Sequence, residues 1–187
     1  MVDDVIIPRS IPGGLHASPD DFGYGMVEAA VARMTTVTHD NVANLTGVSF
    51  ALFGPAGIGK SAVAASLVSK VRARCKWLTA MQCIWVQASW VGAFCSPMAW
   101  SDVDQQLVNS VLTSCRLLAV DGVGEESERG RDRVVSVIKT RIDAGRPTVV
   151  TSRLPLDGSA SSLASLYPHV RRSLDRRFIY ATPSPRT

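Results

Sequence analysis

Short apolar runs alternate along the chain with longer segments whose apolar residues recur at helical spacing. The runs are Val48–Phe53, Cys83–Val86, Leu117–Val120, Thr148–Thr151 and Phe178–Tyr180, each the length of a buried strand. Between them, Met26, Ala29, Ala30, Val31 and Met34 predict a first helix, and Ser61 to Ala73, rich in Ala, Leu and Val, a second. Ser101, with Asp104 three residues on, reads as a capped start for a helix running to about Ser114. Arg131 to Ala144 predicts another helix, stopped by Gly145-Arg146-Pro147. A last helix is expected over Ser161 to Leu174. Alternation of this kind implies a parallel sheet covered on both faces. Pro8, Pro12, Gly13 and Gly14 mark residues 1–17 as an extended arm, and 183–187 as a short tail follows the core at 18–182.

Composition narrows the class. A chain of 187 residues, 46% hydrophobic, favours one domain with its own core. Cys75, Cys83, Cys95 and Cys115 form no CxxC pair and have no histidine at zinc-ligand spacing, so four buried thiols are expected. The acidic start MVDDVIIPRS is unlike a signal peptide, and no run of 18 apolar residues exists. A cytoplasmic protein without membrane contact is the expectation. Net charge is only +4, but Arg129–Arg146 and Arg171–Arg177 concentrate the positive residues, so contact with a polyanion is expected there. Trp77, Trp85 and Trp90 lie in apolar surroundings. Core packing is expected for them in preference to base stacking.

The chemistry begins between the first apolar run and the helix behind it. Gly54-Pro55-Ala56-Gly57-Ile58-Gly59-Lys60-Ser61, followed by Ala62, matches G-x4-G-K-[ST] in full. Glycines let backbone N–H groups wrap a phosphate, and the helix N-terminus adds partial positive charge. Lys60 would reach the β- and γ-phosphates of ATP, and the Ser61 hydroxyl would hold Mg²⁺. Leu117-Leu118-Ala119-Val120-Asp121 ends a buried strand in an acid, the Walker B arrangement, with Asp121 orienting Mg²⁺. About 60 residues separate Lys60 from Asp121, room for an inserted strand of the kind found in hydrolytic motors and switches. Thr151 and Ser152 end the next strand, where a hydroxyl can sense the γ-phosphate or place a water. Ordinary strand-end capping explains them equally well in isolation. Arg171-Arg172 and Arg176-Arg177 supply either an arginine finger for a neighbouring subunit or a basic face for DNA.

Taken together, these residues resemble the AAA+ ATPases of the DnaC-like helicase loaders and the IstB-like transposition helpers. The resemblance spans roughly residues 18–181. It is carried by Asp20-Asp21-Phe22, by the phosphate loop, by Leu117 to Glu126, by Arg141-x5-Pro147-Thr148-Val149-Val150-Thr151-Ser152 and by Arg172-Ser173-Leu174-Asp175-Arg176. It implies a P-loop three-layer α/β sandwich with a five-stranded parallel sheet in the order 5-1-4-3-2. It also implies an ATPase catalytic set of Lys60, Asp121, Glu126, Thr151 and Arg172. The implied role is an ATP-dependent helper of DNA replication that places a replicative helicase on single-stranded DNA and self-associates in the ATP state. A transposition helper that delivers a transposase, and a nucleotide-gated interaction module with little turnover, are the alternatives. Arg129, Arg131 and Arg133 are the residues expected along the DNA.

Two positions depart from the family pattern. Gly122 stands where a second acid usually follows Asp121, and Arg153 where asparagine usually follows Thr-Ser. Glycine cannot polarise an attacking water. Weak hydrolysis is therefore expected, with Glu125 or Glu126 as substitute and with Gly122→Glu raising turnover if the backbone admits a side chain.

Overall fold

The computed structural model describes residues 24–37, 43–79, 82–93, 101–154 and 178–181. The expected arm and tail, Asp20-Asp21-Phe22, Cys95 and the helix over 161–174 with Arg172 lie outside these residues. Helix α1 (Tyr24–Met34) leads into a small antiparallel pair, β1 (Thr35–Val37) and β2 (Ala43–Leu45). The rest alternates: β3 (Ser49–Phe53), α2 (Lys60–Arg74), β4 (Cys83–Gln87), α3 (Ala88–Ala93), α4 (Asp102–Ser114), β5 (Leu117–Val123), α5 (Glu128–Asp143), β6 (Thr148–Ser152) and β7 (Phe178–Ala181). The five later strands form one parallel sheet in the order β4-β5-β6-β3-β7.

Strand periodicity sorts the core into two layers. Ala51 and Phe53 of β3, with Leu118 and Val120 of β5, face α3, α4 and α5 through Val91, Val108, Leu112, Val134 and Ile138. Their neighbours Phe50, Leu52, Leu117 and Ala119 face α1 and α2 through Val31, Met34, Val63, Leu67 and Val71. Both faces of each strand are thus apolar, which is why these strands read as continuous runs. Helices on the two faces give the three-layer sandwich.

Local signals set the helix ends. Ser101 caps α4 by accepting the Asp104 N–H, and its own hydroxyl donates to the Asp104 carboxylate at 2.6 Å. Ser127 caps α5 by accepting the Gly130 N–H, so that helix begins three residues before the expected Arg131. Where α3 meets α5, Gly92 and Gly130 abut. A Cβ on Gly130 would lie 2.6 Å from the Gly92 Cα.

Arg141 is fully buried at the foot of the sheet. Its guanidinium donates to the carbonyls of Leu112 (2.9 Å), Cys115 (2.8 Å) and Pro147 (2.7 Å) and to the Thr148 hydroxyl (3.0 Å). Burial lowers its pKa. The arginine of the Arg141-x5-Pro147 string thus ties together the end of α4 and the starts of β5 and β6.

Trp85 is in the core, as expected, whereas Trp77 is 39% exposed. Cys75, Cys83 and Cys115 are buried free thiols. Among the described residues no helix is long and apolar enough to cross a membrane.

Candidate nucleotide site

Strand β3 delivers the glycine loop to the carboxyl end of the sheet, and α2 starts directly behind it at Lys60. The loop turns on three glycines at positive φ, Gly54, Gly57 and Gly59, conformations that L side chains adopt only at a cost. Lys60 is buried, and its ammonium donates to the carbonyls of Gly54 and Pro55, each at 2.7 Å. Burial lowers its pKa, as does the positive charge of Arg153, while Asp121 and Glu125 act in the opposite sense.

A cavity of about 470 Å³ opens beside this lysine. That falls within the roughly 300–1,000 Å³ typical of small-molecule sites. It brings together Ala56, Gly57, Gly59, Lys60, Ser61 and Ala62 of the predicted loop with Asp121 and Thr151 from β5 and β6. Gln87, Glu125, Ser152 and Arg153 also line it. Gln87 ends β4 beside Asp121 in the parallel register. The sequence signal for it was a polar residue closing an apolar strand.

The acid end of β5 has an irregular geometry. Val120 pairs with Val150 and Val123 with Ser152, so Asp121 and Gly122 together face Thr151 alone. This is a bulge, one extra residue in β5. The Thr151 side chain fills the gap. Its hydroxyl donates to Asp121 Oδ1 at 2.5 Å and accepts the Gly122 N–H at 2.9 Å. One hydroxyl therefore completes the ladder and aims the carboxylate. Gly122 sits at φ 72°, in the left-handed region that glycine reaches without strain.

Past the bulge the chain turns back. The Glu125 N–H bonds the Gly122 carbonyl at 3.0 Å, closing a turn over residues 122–125. A Cβ built on Gly122 would lie 3.2 Å from both Glu125 Cδ and Oε2. The Glu125 carboxylate thus occupies the space that a side chain at position 122 would enter. Its Oε1 pairs with Arg153 Nε at 2.8 Å.

Glu126, the carboxylate expected in the catalytic set, does not line this cavity. Its side chain is buried on the other side of the turn, where it accepts the Gly124 N–H at 2.8 Å and lies 3.9 Å from Arg131 Nε. The reason is the tight turn, which returns Glu125 to the cavity and directs the next residue toward α5. The expected DNA residues are likewise committed in part. Arg133 donates to the Gln105 carbonyl at 2.8 Å, and Arg131 faces Glu126, while Arg129 is exposed.

Mg²⁺ fits the donor set. The Ser61 hydroxyl and the Asp121 carboxylate are hard oxygen donors, and both residues line the cavity. Among the described residues no cluster of three His, Cys, Asp or Glu forms an all-protein cage. That sparse set suits Mg²⁺, which is usually held by one or two protein oxygens plus substrate phosphates and waters.

No family model matches the chain, and no curated protein matches it. Solved structures do. The DnaC helicase loader superposes with a TM-score of 0.63 at 17% identity, over 85% of this chain and 86% of that one. DnaI superposes with a TM-score of 0.65 at 15% identity, over 93% and 95%. The replication initiator DnaA bound to AMPPCP and single-stranded DNA gives 0.58 at 14% identity, over 87% of this chain and 46% of that one. This likeness is one of fold, and it extends over most of both solved chains: this chain has a P-loop α/β fold shared with the DnaC helicase loader and DnaI structures.

Proposed function

We propose that this chain binds ATP in the cavity beside Lys60, hydrolyses it slowly, and uses the nucleotide to place a replicative helicase on single-stranded DNA. One observation carries the nucleotide reading. The phosphate loop, Asp121 and Thr151 converge on one cavity, with Thr151 bonded to Asp121. The likeness in fold to the DnaC helicase loader over 85% of this chain supports the loader role, and the AMPPCP in a DnaA structure supports the nucleotide class.

In hydrolysis a water attacks the γ-phosphorus, the bond to the β–γ bridging oxygen breaks, and ADP leaves. Lys60 neutralises charge on the β- and γ-phosphates. Position 122 offers no acid, which is the reason turnover is slow, and Glu125, returned to the cavity by the 122–125 turn, takes the proton from the water. Gln87 lies within the same cavity as a neutral hydrogen-bonding partner for the water. Ser61 and Asp121 would hold Mg²⁺, which would supply charge neutralisation on the phosphates. ATP also promotes self-association, with Arg172 of one subunit reaching the Lys60 site of the next.

The glycine at position 122 also favours the second reading, a nucleotide-gated module with little turnover. Lys60→Ala tests the common ground. Loss of one charge-assisted contact, about 1.5–3 kcal/mol, lowers ATP affinity by about tenfold or more. Unchanged affinity by calorimetry sinks the nucleotide assignment. Co-purification with the replicative helicase, and ATP-dependent transfer of that helicase to single-stranded DNA, separates loader from module.

A further inference from the structure

The parallel sheet has a second end. Gly47 lies two residues before β3, and Arg116 and Pro147 immediately precede β5 and β6, so they gather at the amino edge. The nucleotide cavity lies at the opposite edge, a five-residue strand or about 17 Å away. Here a groove of about 330 Å³ runs between the Asn44–Gly47 loop, Trp77, Arg116 and the Ala144–Pro147 turn. Its floor is a close approach of two loops, since a Cβ on Gly47 would meet the Gly145 carbonyl at 3.1 Å.

Three side chains give the groove its chemistry. Trp77, at 39% exposure, and Val103 are the two large apolar side chains exposed among the described residues. The Arg116 guanidinium sits over the indole at 5.9 Å from the ring centroid, a cation–π contact. Arg146 is held by its bond to the Thr113 carbonyl. Among the described residues no acidic one lines the groove, and exposed Arg72, Arg74 and Lys76 precede Trp77 in the chain. An exposed aromatic ring sharing a groove with two guanidiniums matches the bases and phosphates of an unpaired strand. The cations of α5 match it less well, because Arg131 and Arg133 face protein groups and Arg141 is buried.

We propose that this groove is a binding site for single-stranded DNA, with a base stacked on Trp77 and flanking phosphates on Arg116 and Arg146. The proposal rests on the reading that the chain works on single-stranded DNA, and it assigns that contact to the edge away from the nucleotide.

The test measures fluorescence anisotropy of a labelled oligo-dT at several salt concentrations, with ATP present. It compares wild type, Trp77→Leu, Trp77→Phe, Arg116→Gln and Arg129→Gln. Unchanged circular dichroism and ATP affinity serve as the fold control for every variant. Trp77→Leu is expected to weaken binding by about 5-fold to 150-fold, the range for one base–aromatic stack, while Trp77→Phe retains most of it. Arg116→Gln is expected to weaken binding and to lower the log–log salt slope by about 0.7. A larger loss in Arg129→Gln than in Arg116→Gln overturns the groove in favour of the exposed start of α5. A duplex of equal length is expected to bind less well. If wild type binds no oligonucleotide even at low salt, both the DNA reading and the groove fall. If wild type binds while Trp77→Leu and Arg116→Gln bind equally well, the groove alone is overturned. Competition by poly-glutamate as strong as by oligo-dT, insensitive to Trp77→Leu, also overturns it in favour of an acidic protein partner.

Discussion

Placing Glu at position 122 restores the second acid that the family pattern expects after Asp121, and the structure predicts that this fails. Gly122 sits at φ 72°, where a residue with a Cβ pays about 1–2 kcal/mol. The new Cβ would stand 3.2 Å from the Glu125 carboxyl, tighter than ordinary contact, and a second carboxylate would then share that space. Glu125 can swing away, but only by leaving Arg153. For a chain of this length each kcal/mol lowers Tm by about 2–4 °C, so Gly122→Glu is expected to lower it by about 2–8 °C. Hydrolysis is expected to fall with it, because the displaced Glu125 no longer faces the water. Gly122→Ala separates the terms, carrying the backbone strain without the charge. Glu125→Gln is expected to lower turnover by about 10²–10⁴-fold with ATP affinity retained, and Glu126→Gln to leave turnover unchanged. Calorimetric melting and steady-state phosphate release make the measurements. Faster turnover in Gly122→Glu at an unchanged Tm would refute the argument and return the water-activating role to position 122.

Three further outcomes are expected. Gly130→Ala should destabilise by about 1–3 kcal/mol in chemical denaturation. Its Cβ meets Gly92 backbone at 2.6 Å, which outweighs a helix-propensity gain of about 1 kcal/mol, and a stabilised variant would contradict the α3–α5 contact. Burial raises the thiol pKa of Cys75 and Cys115 and pushes that of Cys83 up to about 12, so all three stay protonated at pH 8. Thiol titration of the native protein should leave them silent until denaturant is added, and fast labelling of more than one cysteine would contradict this. Arg172→Ala should bind ATP normally and turn over slowly, and mixing it with Lys60→Ala should restore part of the activity if the two residues meet across subunits. No recovery in confirmed mixed assemblies would remove the finger.

The parts of the fold legible in the sequence were those fixed by local pattern. Phe50 to Phe53 and Leu117 to Val120 are apolar on both faces, and the loop glycines signal their own backbone. Ser101 announced its helix by cap chemistry alone. What went unread depended on contacts between distant segments. Strands β1 and β2, three residues each, are too short to carry a period. Helix α3 has six residues with a glycine inside, permitted by Gly130 of α5. The expected start of α5 at Arg131 leaves out the Ser127 cap, which begins the helix at Glu128. Trp77 and Trp85 have similar sequence surroundings, and only the packing of β4 buries one and not the other. In the site, choosing between Glu125 and Glu126 required the 122–125 turn, whose closure no spacing rule encodes.

Arg141 has a consequence for how the molecule comes together. A guanidinium with no water around it is costly unless its donors are matched, and here the acceptors come from α4, from Cys115 and from Pro147-Thr148. None of those segments can satisfy it alone. Docking α5 before α4 and β6 have arrived would leave a bare charge in the core, so partly assembled forms are penalised in proportion to what they lack. The residue therefore acts less as a bond than as a condition on cooperativity, making this end of the sheet form all at once. Amide exchange should report it: the amides of Leu112, Cys115, Leu117 and Thr148 are expected to open with one common free energy, and Arg141→Met, which removes the charge but keeps the bulk, to let them open separately.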